Sequence, residues 1–170
     1  MTDPEPHVGI DEIREARKRI EADIVLTPST RAPAFADLVP GRLLFKLENL
    51  QRTGSFKDRG SLNRLLHLTD EERERGVVTA SAGNHAQAVA YHSSRLGIPA
   101  TVVMPETAPL IKVTNTRSYG ARVIQRGTIL DDAAVEARRL EEEEGLVMVH
   151  PFDDPRVVAG QGTVGLEIAE

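Results

Sequence analysis

Cysteine is absent from this chain, and aromatic residues make up only 4% of it. The absence of cysteine excludes disulfides, thiolate-bound zinc and a cysteine nucleophile, and it is compatible with the cytosol. With so few aromatic side chains, the core of the 170-residue chain must consist mainly of Leu, Val, Ile and Ala. A chain of this length suits about one to one and a half domains.

Long apolar runs and an excess of positive charge are also absent. No run approaches the length of a membrane-spanning helix, and the acidic, proline-containing start is not a signal peptide. The formal net charge of −5 argues against a nucleic-acid partner, because phosphate binding needs a basic face. We therefore expect a cytoplasmic protein with neither a membrane nor a nucleic-acid partner.

Apolar runs alternate with helical patterns along the chain, after a start at residues 1–7 that we expect to be a loose end. Strands and helices that alternate at this spacing indicate parallel strands with right-handed crossovers, and hence an open α/β sheet. Strands are predicted at residues 42–48, 76–80, 100–104, 121–125 and 146–149. Helices are predicted at residues 9–22, 31–38, 84–96 (closed by Gly97), 109–119 and 131–144. Two further helices are predicted to begin near residues 57 and 155, and a helical turn is predicted after a cap at Thr69 or Asp70.

Lys57 lies where a predicted strand and a polar loop lead into a predicted helix. The amino end of a helix disfavours a protonated amine, so this position lowers the pKa of the lysine. A lysine needs a free amine to form a Schiff base. Gly54 permits a tight turn, Ser55 is a good N-cap, and Phe56 puts an aromatic face beside the amine. An ordinary surface lysine is the alternative interpretation.

A second candidate site is the turn at residues 79–85, which reads Thr-Ala-Ser-Ala-Gly-Asn-His. In an open α/β sheet, ligands bind where strand ends meet helix starts, and the helix amino end attracts a carboxylate or phosphate. A plain turn capped by Asn84 or Ser81 is the alternative. His85 is not predicted to bind a metal, because no histidine or carboxylate follows it by three or four positions.

Residues 160–165 read Gly-Gln-Gly-Thr-Val-Gly and match the dinucleotide-binding fingerprint literally. We reject that interpretation, because no apolar strand leads directly into the motif and the chain ends before the acidic residue expected about 20 positions later. The small residues are better explained as allowing a helix to pack closely. Ser55 with His85 or His150 is a weak hydrolase candidate, since no Gly-x-Ser-x-Gly elbow supports it.

Five blocks of sequence, in this order, resemble the fold-type II pyridoxal-phosphate enzymes, the tryptophan synthase β-like family. The blocks are residues 55–60 (Ser-Phe-Lys-Asp-Arg-Gly), 81–85, 104–109 (Met-Pro-Glu-Thr-Ala-Pro), 150–155 (His-Pro-Phe-Asp-Asp-Pro) and 160–165. The resemblance covers nearly the whole chain. It implies the family's α/β fold, an open three-layer parallel sheet, with the small domain complete and the large domain partial. The implied boundaries are 1–50 for an amino-terminal flank of the large domain, 51–150 for the small α/β domain and 151–170 for the start of the truncated large domain.

Within this family the chain is most similar to the threonine dehydratases. This implies pyridoxal 5'-phosphate as cofactor, an amino-acid substrate, and deamination of L-threonine and L-serine to 2-oxobutanoate and pyruvate, as in isoleucine biosynthesis. Lys57 would bind the cofactor as a Schiff base and then act as a base, with Phe56 near the cofactor ring. Arg59 is interpreted as a structural partner of the loop. The substrate carboxylate would be held by Ser81, Ala82, Gly83, Asn84 and His85, and Asn84 would also reach the cofactor's phenolic oxygen.

Two other branches of the family stay open as alternatives. The first block, with its Asp58, also resembles threonine synthase, although those enzymes usually have Thr where this chain has His85. Serine racemase is similar throughout, but it has a proton-donating serine where this chain has Ala82, which favours elimination over racemisation. Asp58, Ser61 and Ala88 depart from the commonest dehydratase pattern and leave the substrate identity open.

Members of the family continue well beyond the 170 residues of this chain. Their continuation contains the glycine-rich loop that cradles the cofactor phosphate and a Ser or Cys that faces the pyridine nitrogen. We therefore expect the chain alone to bind the cofactor weakly and to turn over little. A non-catalytic binding or assembly module is a hypothesis of a different class. The resemblance also implies a homo-oligomer for the full-length form.

Overall fold

The computed structural model describes residues 8–38 and 40–170, so the loose end expected at residues 1–7 lies outside the described residues. The strands are β1 (Ser29–Arg31), β2 (Leu44–Lys46), β3 (Val77–Ala80), β4 (Ala100–Met104), β5 (Arg122–Gln125) and β6 (Val147–Met148). The α-helices are α1 (Ile10–Ile20), α2 (Lys57–Leu66), α3 (Asp70–Arg75), α4 (Asn84–Leu96), α5 (Leu110–Ser118), α6 (Leu130–Glu144) and α7 (Pro155–Ala169). Short 3₁₀ helices cover Pro33–Leu38 and Glu48–Leu50.

The central sheet has four parallel strands in the order β5-β4-β3-β6. Val77 of β3 lies opposite Ala100 of β4 and Val147 of β6, and Thr101 lies opposite Arg122 of β5. Parallel neighbours need crossover connections, and helices α4 to α6 supply them. The predicted open parallel sheet is confirmed.

Helices cover both faces of this sheet. Alternate residues of a strand point to opposite faces. Val77 packs in one cluster with Leu65 of α2 and Val89 of α4, whereas Val78 packs with Ala137 and other residues of α6. Because β3 is buried on both faces, it reads as a continuous apolar run rather than an alternating one. The predicted three-layer arrangement is confirmed.

Strands β1 and β2 form a separate antiparallel pair, with Thr30 opposite Phe45. The strand predicted at residues 42–48 is therefore shorter than expected and does not join the parallel sheet. The sequence does not predict β1, because Ser-Thr-Arg has no apolar alternation and all three residues are exposed. The helix predicted at residues 31–38 is the 3₁₀ helix Pro33–Leu38.

Three predicted helix ends are confirmed. The Thr69 hydroxyl accepts from Glu72 N at 3.2 Å, and a Glu72 carboxylate oxygen accepts from Thr69 N at 2.9 Å, which is a capping box. Gly97 ends α4 in the left-handed conformation, with φ of 69°. Pro155 opens α7 directly after the Asp154 cap.

None of the described helices is both long and apolar enough to cross a bilayer.

Helices α2 and α7 cross closely at a pair of glycines. A Cβ on Gly160 would lie 2.7 Å from both the Arg59 carbonyl oxygen and the Gly60 Cα, and a Cβ on Gly60 would lie 2.7 Å from the Val157 carbonyl oxygen. Neither backbone can give way without moving a helix. The structure therefore confirms for Gly160 that a small residue of the 160–165 motif serves close helix packing.

Arg59 joins this helix pair to the loop before α2. Its side chain is 1% exposed, and its guanidinium lies 2.8 Å from the Glu48 carboxylate and 2.6 Å from the Glu167 carboxylate. Burial is the largest single effect and would raise the pKa of both acids, but the hydrogen bonds and charge of Arg59, together with hydrogen bonds from Thr27 to Glu48 and from Lys46 to Glu167, hold each pKa below its ordinary value. The interpretation of Arg59 as a structural partner is confirmed.

Gly160→Ala should destabilise the chain by about 2–3 kcal/mol, because the added methyl group forces α2 and α7 apart. Equilibrium urea unfolding measures this loss. Gly165→Ala is the matched control in the same helix, since a Cβ there meets nothing within 4 Å. That variant should keep its stability or gain up to about 1 kcal/mol from helix propensity. Equal stability of the two variants would contradict the close crossing.

Candidate active site

Lys57 is the first residue of α2, as predicted. The N-cap is Phe56, whose backbone is already αR with φ of −60° and ψ of −12°, rather than the predicted Ser55. The Ser55 hydroxyl still accepts from Lys57 N at 3.2 Å. The Asp58 carboxylate accepts from both the backbone N and the hydroxyl of Thr53, at 2.9 and 2.6 Å. These bonds fix the loop that leads to the lysine.

The Lys57 amine is half-buried and points towards the segment that follows β6. Its Nζ donates to the Pro151 carbonyl oxygen at 2.6 Å and lies 5.4 Å from the centre of the Phe56 ring. Burial lowers the pKa of Lys57. The direction agrees with the prediction, although burial rather than the helix end is the cause. The Phe56 ring is 41% exposed, so the amine is open to solvent on that side.

The turn between β3 and α4 presents backbone N–H groups. The buried Ser81 hydroxyl accepts from Gly83 N and Ala86 N, both at 3.3 Å, and so holds the turn against the start of the helix. Within the described chain, the N–H groups of the remaining three turn residues have no hydrogen-bond partner: Ala82, Asn84 and His85. Free N–H groups at a helix amino end form a binding site for an anion.

Asn84 begins α4 on the exposed side of this turn. Its side-chain oxygen accepts from Lys112 Nζ of α5 at 2.8 Å. The side chain is therefore near a positive charge rather than buried beside Lys57. Its predicted contact with the cofactor's phenolic oxygen stays a prediction.

His85 points inward, away from the exposed side of the turn. Its ring is 2% exposed, with Nε2 3.1 Å from the Val149 carbonyl oxygen and Nδ1 3.3 Å from the Ser61 hydroxyl. Burial lowers the pKa of His85 to about 4, and the nearby charge of Lys57 acts in the same direction. The ring is thus neutral at physiological pH, and only the backbone N–H of His85 is available to a ligand.

Residues 149–151 bring the two predicted sites together. The His85 ring binds the carbonyl of Val149, and the Lys57 amine binds the carbonyl of Pro151. Pro151 also lines a cleft of about 440 Å³ between this segment and α6. Sequence reasoning missed both carbonyls; the His-Pro-Phe-Asp-Asp-Pro block includes Pro151 but not Val149.

Family membership follows from comparison with known proteins. The profile of the family described as "Pyridoxal-phosphate dependent enzyme" matches residues 20–170. The chain belongs to this family. The resemblance of the five sequence blocks is thereby confirmed, and pyridoxal phosphate is the cofactor of the family.

Relatives of this pyridoxal-phosphate enzyme chain include both lyases and racemases. L-threonine ammonia-lyase from Thermotoga maritima is 50% identical over 163 residues, which are 96% of this chain and 41% of that protein. The structure of the processed form of threonine deaminase isoform 2 from Solanum lycopersicum has a TM-score of 0.83 at 41% identity and covers 94% of this chain and 46% of that one. The crystal structure of serine racemase from Dictyostelium discoideum has a TM-score of 0.87 at 42% identity. This match covers 95% of this chain and 52% of that one. The chain thus spans about half the length of the relatives that it matches.

The stability of this family member should depend on pH through His85. Its folded pKa of about 4 lies below the ordinary 6.5, so the unfolded chain binds the extra proton first as the pH falls. The contribution of the neutral His85 to the free energy of unfolding is therefore fully present above about pH 6.5. It decreases towards pH 4, by roughly 3 kcal/mol in total. His85→Gln keeps a donor for Val149 but removes the titration. Urea unfolding at several pH values should show a weaker pH dependence in that variant, and parallel curves would contradict a buried neutral ring.

Proposed function

We propose that this chain carries the cofactor-binding lysine and the amino-acid carboxylate site of an L-threonine ammonia-lyase. The reaction converts L-threonine into 2-oxobutanoate and ammonia, with L-serine as a second substrate that gives pyruvate. The observation that carries the proposal is the half-buried Lys57 amine, whose pKa burial lowers. The 50% identity to the Thermotoga maritima L-threonine ammonia-lyase supports the reaction class.

The residues of this site fit pyridoxal phosphate. Lys57 would hold the aldehyde carbon of the cofactor, because only an unprotonated amine can do so and a lowered pKa makes more of the Lys57 amine available in that form. Phe56 lies close enough to contact an aromatic ring held at the amine. When bound, pyridoxal phosphate supplies an electron sink for negative charge at the α-carbon of an amino acid.

Each protein group then has a separate task. The Lys57 Nζ, while unprotonated, accepts the α-proton of the amino acid. The free N–H groups of Ala82, Asn84 and His85 bind the amino-acid carboxylate at the start of α4, where the helix dipole also favours an anion. Ser81 fixes that turn through its two backbone contacts rather than by touching the substrate.

Serine racemisation is the second candidate, and the likeness to the Dictyostelium discoideum serine racemase favours it. Racemisation requires a proton to return to the opposite face of the α-carbon. Ala82 offers only a methyl group at the turn, so it cannot deliver that proton. Chiral chromatography of the amino acid, beside measurement of 2-oxo acid, separates the two reactions.

Other expectations about the whole protein stay predictions. They are weak cofactor binding and low turnover by the 170-residue chain, homo-oligomer formation, a cytoplasmic location and a role in isoleucine biosynthesis. The exposure of Phe56 and Asn84 supports low turnover, because a site that is open to water shields the reacting groups poorly. A non-catalytic binding module would share these features but would not retain cofactor on Lys57.

Borohydride reduction of the purified chain with pyridoxal phosphate should fix the cofactor on Lys57. Peptide mass mapping identifies the labelled lysine. Before reduction, the visible absorption band of the Schiff base should be missing in Lys57→Ala. Lys18→Ala is the control, since Lys18 is an exposed lysine paired with Glu15. Labelling that survives in Lys57→Ala and spreads over surface lysines would contradict the proposal.

Gly83→Asp should weaken the binding of L-threonine at least about tenfold, because it adds a negative charge at the proposed carboxylate site. A side chain fits there, since φ is −136° and a Cβ on Gly83 would meet nothing within 4 Å. Gly83→Asn is the matched control of the same shape without the charge. Amide NMR shifts of the turn at residues 81–85 during titration measure both affinities. L-threoninol, which lacks the carboxylate, should bind all three proteins equally weakly, and equal L-threonine affinities of the two variants would exclude this turn as the carboxylate site.

A further inference from the structure

We propose that Ser61 is a positioning residue for the Lys57 amine, acting through His85 and the 149–151 segment. The inference rests on the proposed function only in treating Lys57 as the reactive amine. The Ser61 side chain is completely buried and touches no proposed substrate group.

The hydrogen bonds define the state of the His85 ring. The Val149 carbonyl oxygen can only accept, so the nitrogen 3.1 Å from it, Nε2, carries a hydrogen. Because the ring is neutral, Nδ1 is then an acceptor, and the Ser61 hydroxyl donates to it at 3.3 Å. The Val149 carbonyl thus selects this tautomer, and Ser61 satisfies the remaining nitrogen and fixes the plane of the ring.

The same contacts connect Ser61 to the Lys57 amine. Ser61 lies four residues after Lys57, on the same side of α2 and one turn further along. From Ser61 the chain of contacts passes to His85 in α4, then to the Val149 carbonyl and, two residues later, to the Pro151 carbonyl. That last carbonyl accepts from Lys57 Nζ at 2.6 Å. The amine is therefore held from both its own helix and the strand end opposite.

Loss of the Ser61 hydroxyl would leave Nδ1 of His85 buried without a partner, which is unfavourable. The ring can relieve this only by turning until Nδ1 meets another donor, and that movement breaks the bond from Nε2 to the Val149 carbonyl. The segment that holds the Lys57 amine is then released, and the amine becomes more solvated. Because burial is what lowers the pKa of Lys57, that pKa should move back up.

The test compares Ser61→Ala with Ser93→Ala in the cofactor-free chain. Ser93 is the matched control, because it is equally buried but its hydroxyl has no hydrogen-bond partner among residues 8–38 and 40–170. The first readout is the ¹⁵N spectrum of the His85 ring, which distinguishes the tautomers. The second is the pH at which acetylation of Lys57 is half-maximal, followed by mass spectrometry with exposed Lys18 as internal reference. Neither readout uses pyridoxal phosphate, so a failure of Lys57 to bind the cofactor would not alter them.

The wild-type ring should carry its hydrogen on Nε2, and Ser61→Ala should shift both ring ¹⁵N signals, because Nδ1 loses its hydrogen bond and the turned ring loses the one from Nε2. The acetylation midpoint of Lys57 should shift up towards the ordinary lysine pKa of about 10.4 in that variant, while Ser93→Ala should leave both readouts unchanged. Ser61→Thr, which keeps the hydroxyl, should restore both. A hydrogen on Nδ1 in the wild type would overturn the proposal without any variant, so it stays testable even if Ser61→Ala fails to fold. An unchanged Lys57 midpoint in folded Ser61→Ala would also overturn it.

Discussion

The Arg59 guanidinium, buried between the Glu48 and Glu167 carboxylates, is the contact on which the position of the lysine helix depends. Burying a charge is unfavourable unless it is paired and hydrogen-bonded, and removing one partner of a buried pair costs about 3–5 kcal/mol. Both carboxylates therefore stay close to Arg59, and they lie on different elements: Glu48 precedes the lysine loop, and Glu167 is in α7. The glycine crossing at Gly160 lets α7 approach closely enough for this pairing. Together these contacts set the direction in which α2 presents its first residue.

The site lies where two helix amino ends meet the end of a strand. Helix α2 brings the Lys57 amine and α4 brings free backbone N–H groups, while residues 149–151 accept hydrogen bonds from both helices through their carbonyls. Local geometry gives the two helices different chemistry. Partial burial of the amine favours its free form, and the unpaired N–H groups of α4 favour an anion. A covalent cofactor and an amino-acid carboxylate need these two properties side by side.

Sequence reasoning succeeded where structure is decided locally. The continuous apolar run of β3, the cap at Thr69 and the glycines of α7 all leave marks within a few residues, and the parallel sheet follows from their order. It failed where partners are distant in the chain. Strand β1 has a polar, exposed sequence, so nothing local distinguishes it from a loop. The inward turn of His85 depends on Ser61 and Val149, which are 24 and 64 residues away. Backbone carbonyls such as that of Pro151 carry no residue signature, so their role becomes visible only in three dimensions.

The most direct test of this account is a crystal structure of the borohydride-reduced chain soaked with L-threonine. We expect continuous electron density from Lys57 Nζ to the cofactor. The amino-acid carboxylate should lie within hydrogen-bonding distance of the N–H groups of Ala82, Asn84 and His85. Cofactor density on another lysine, or a carboxylate bound away from the start of α4, would contradict the account.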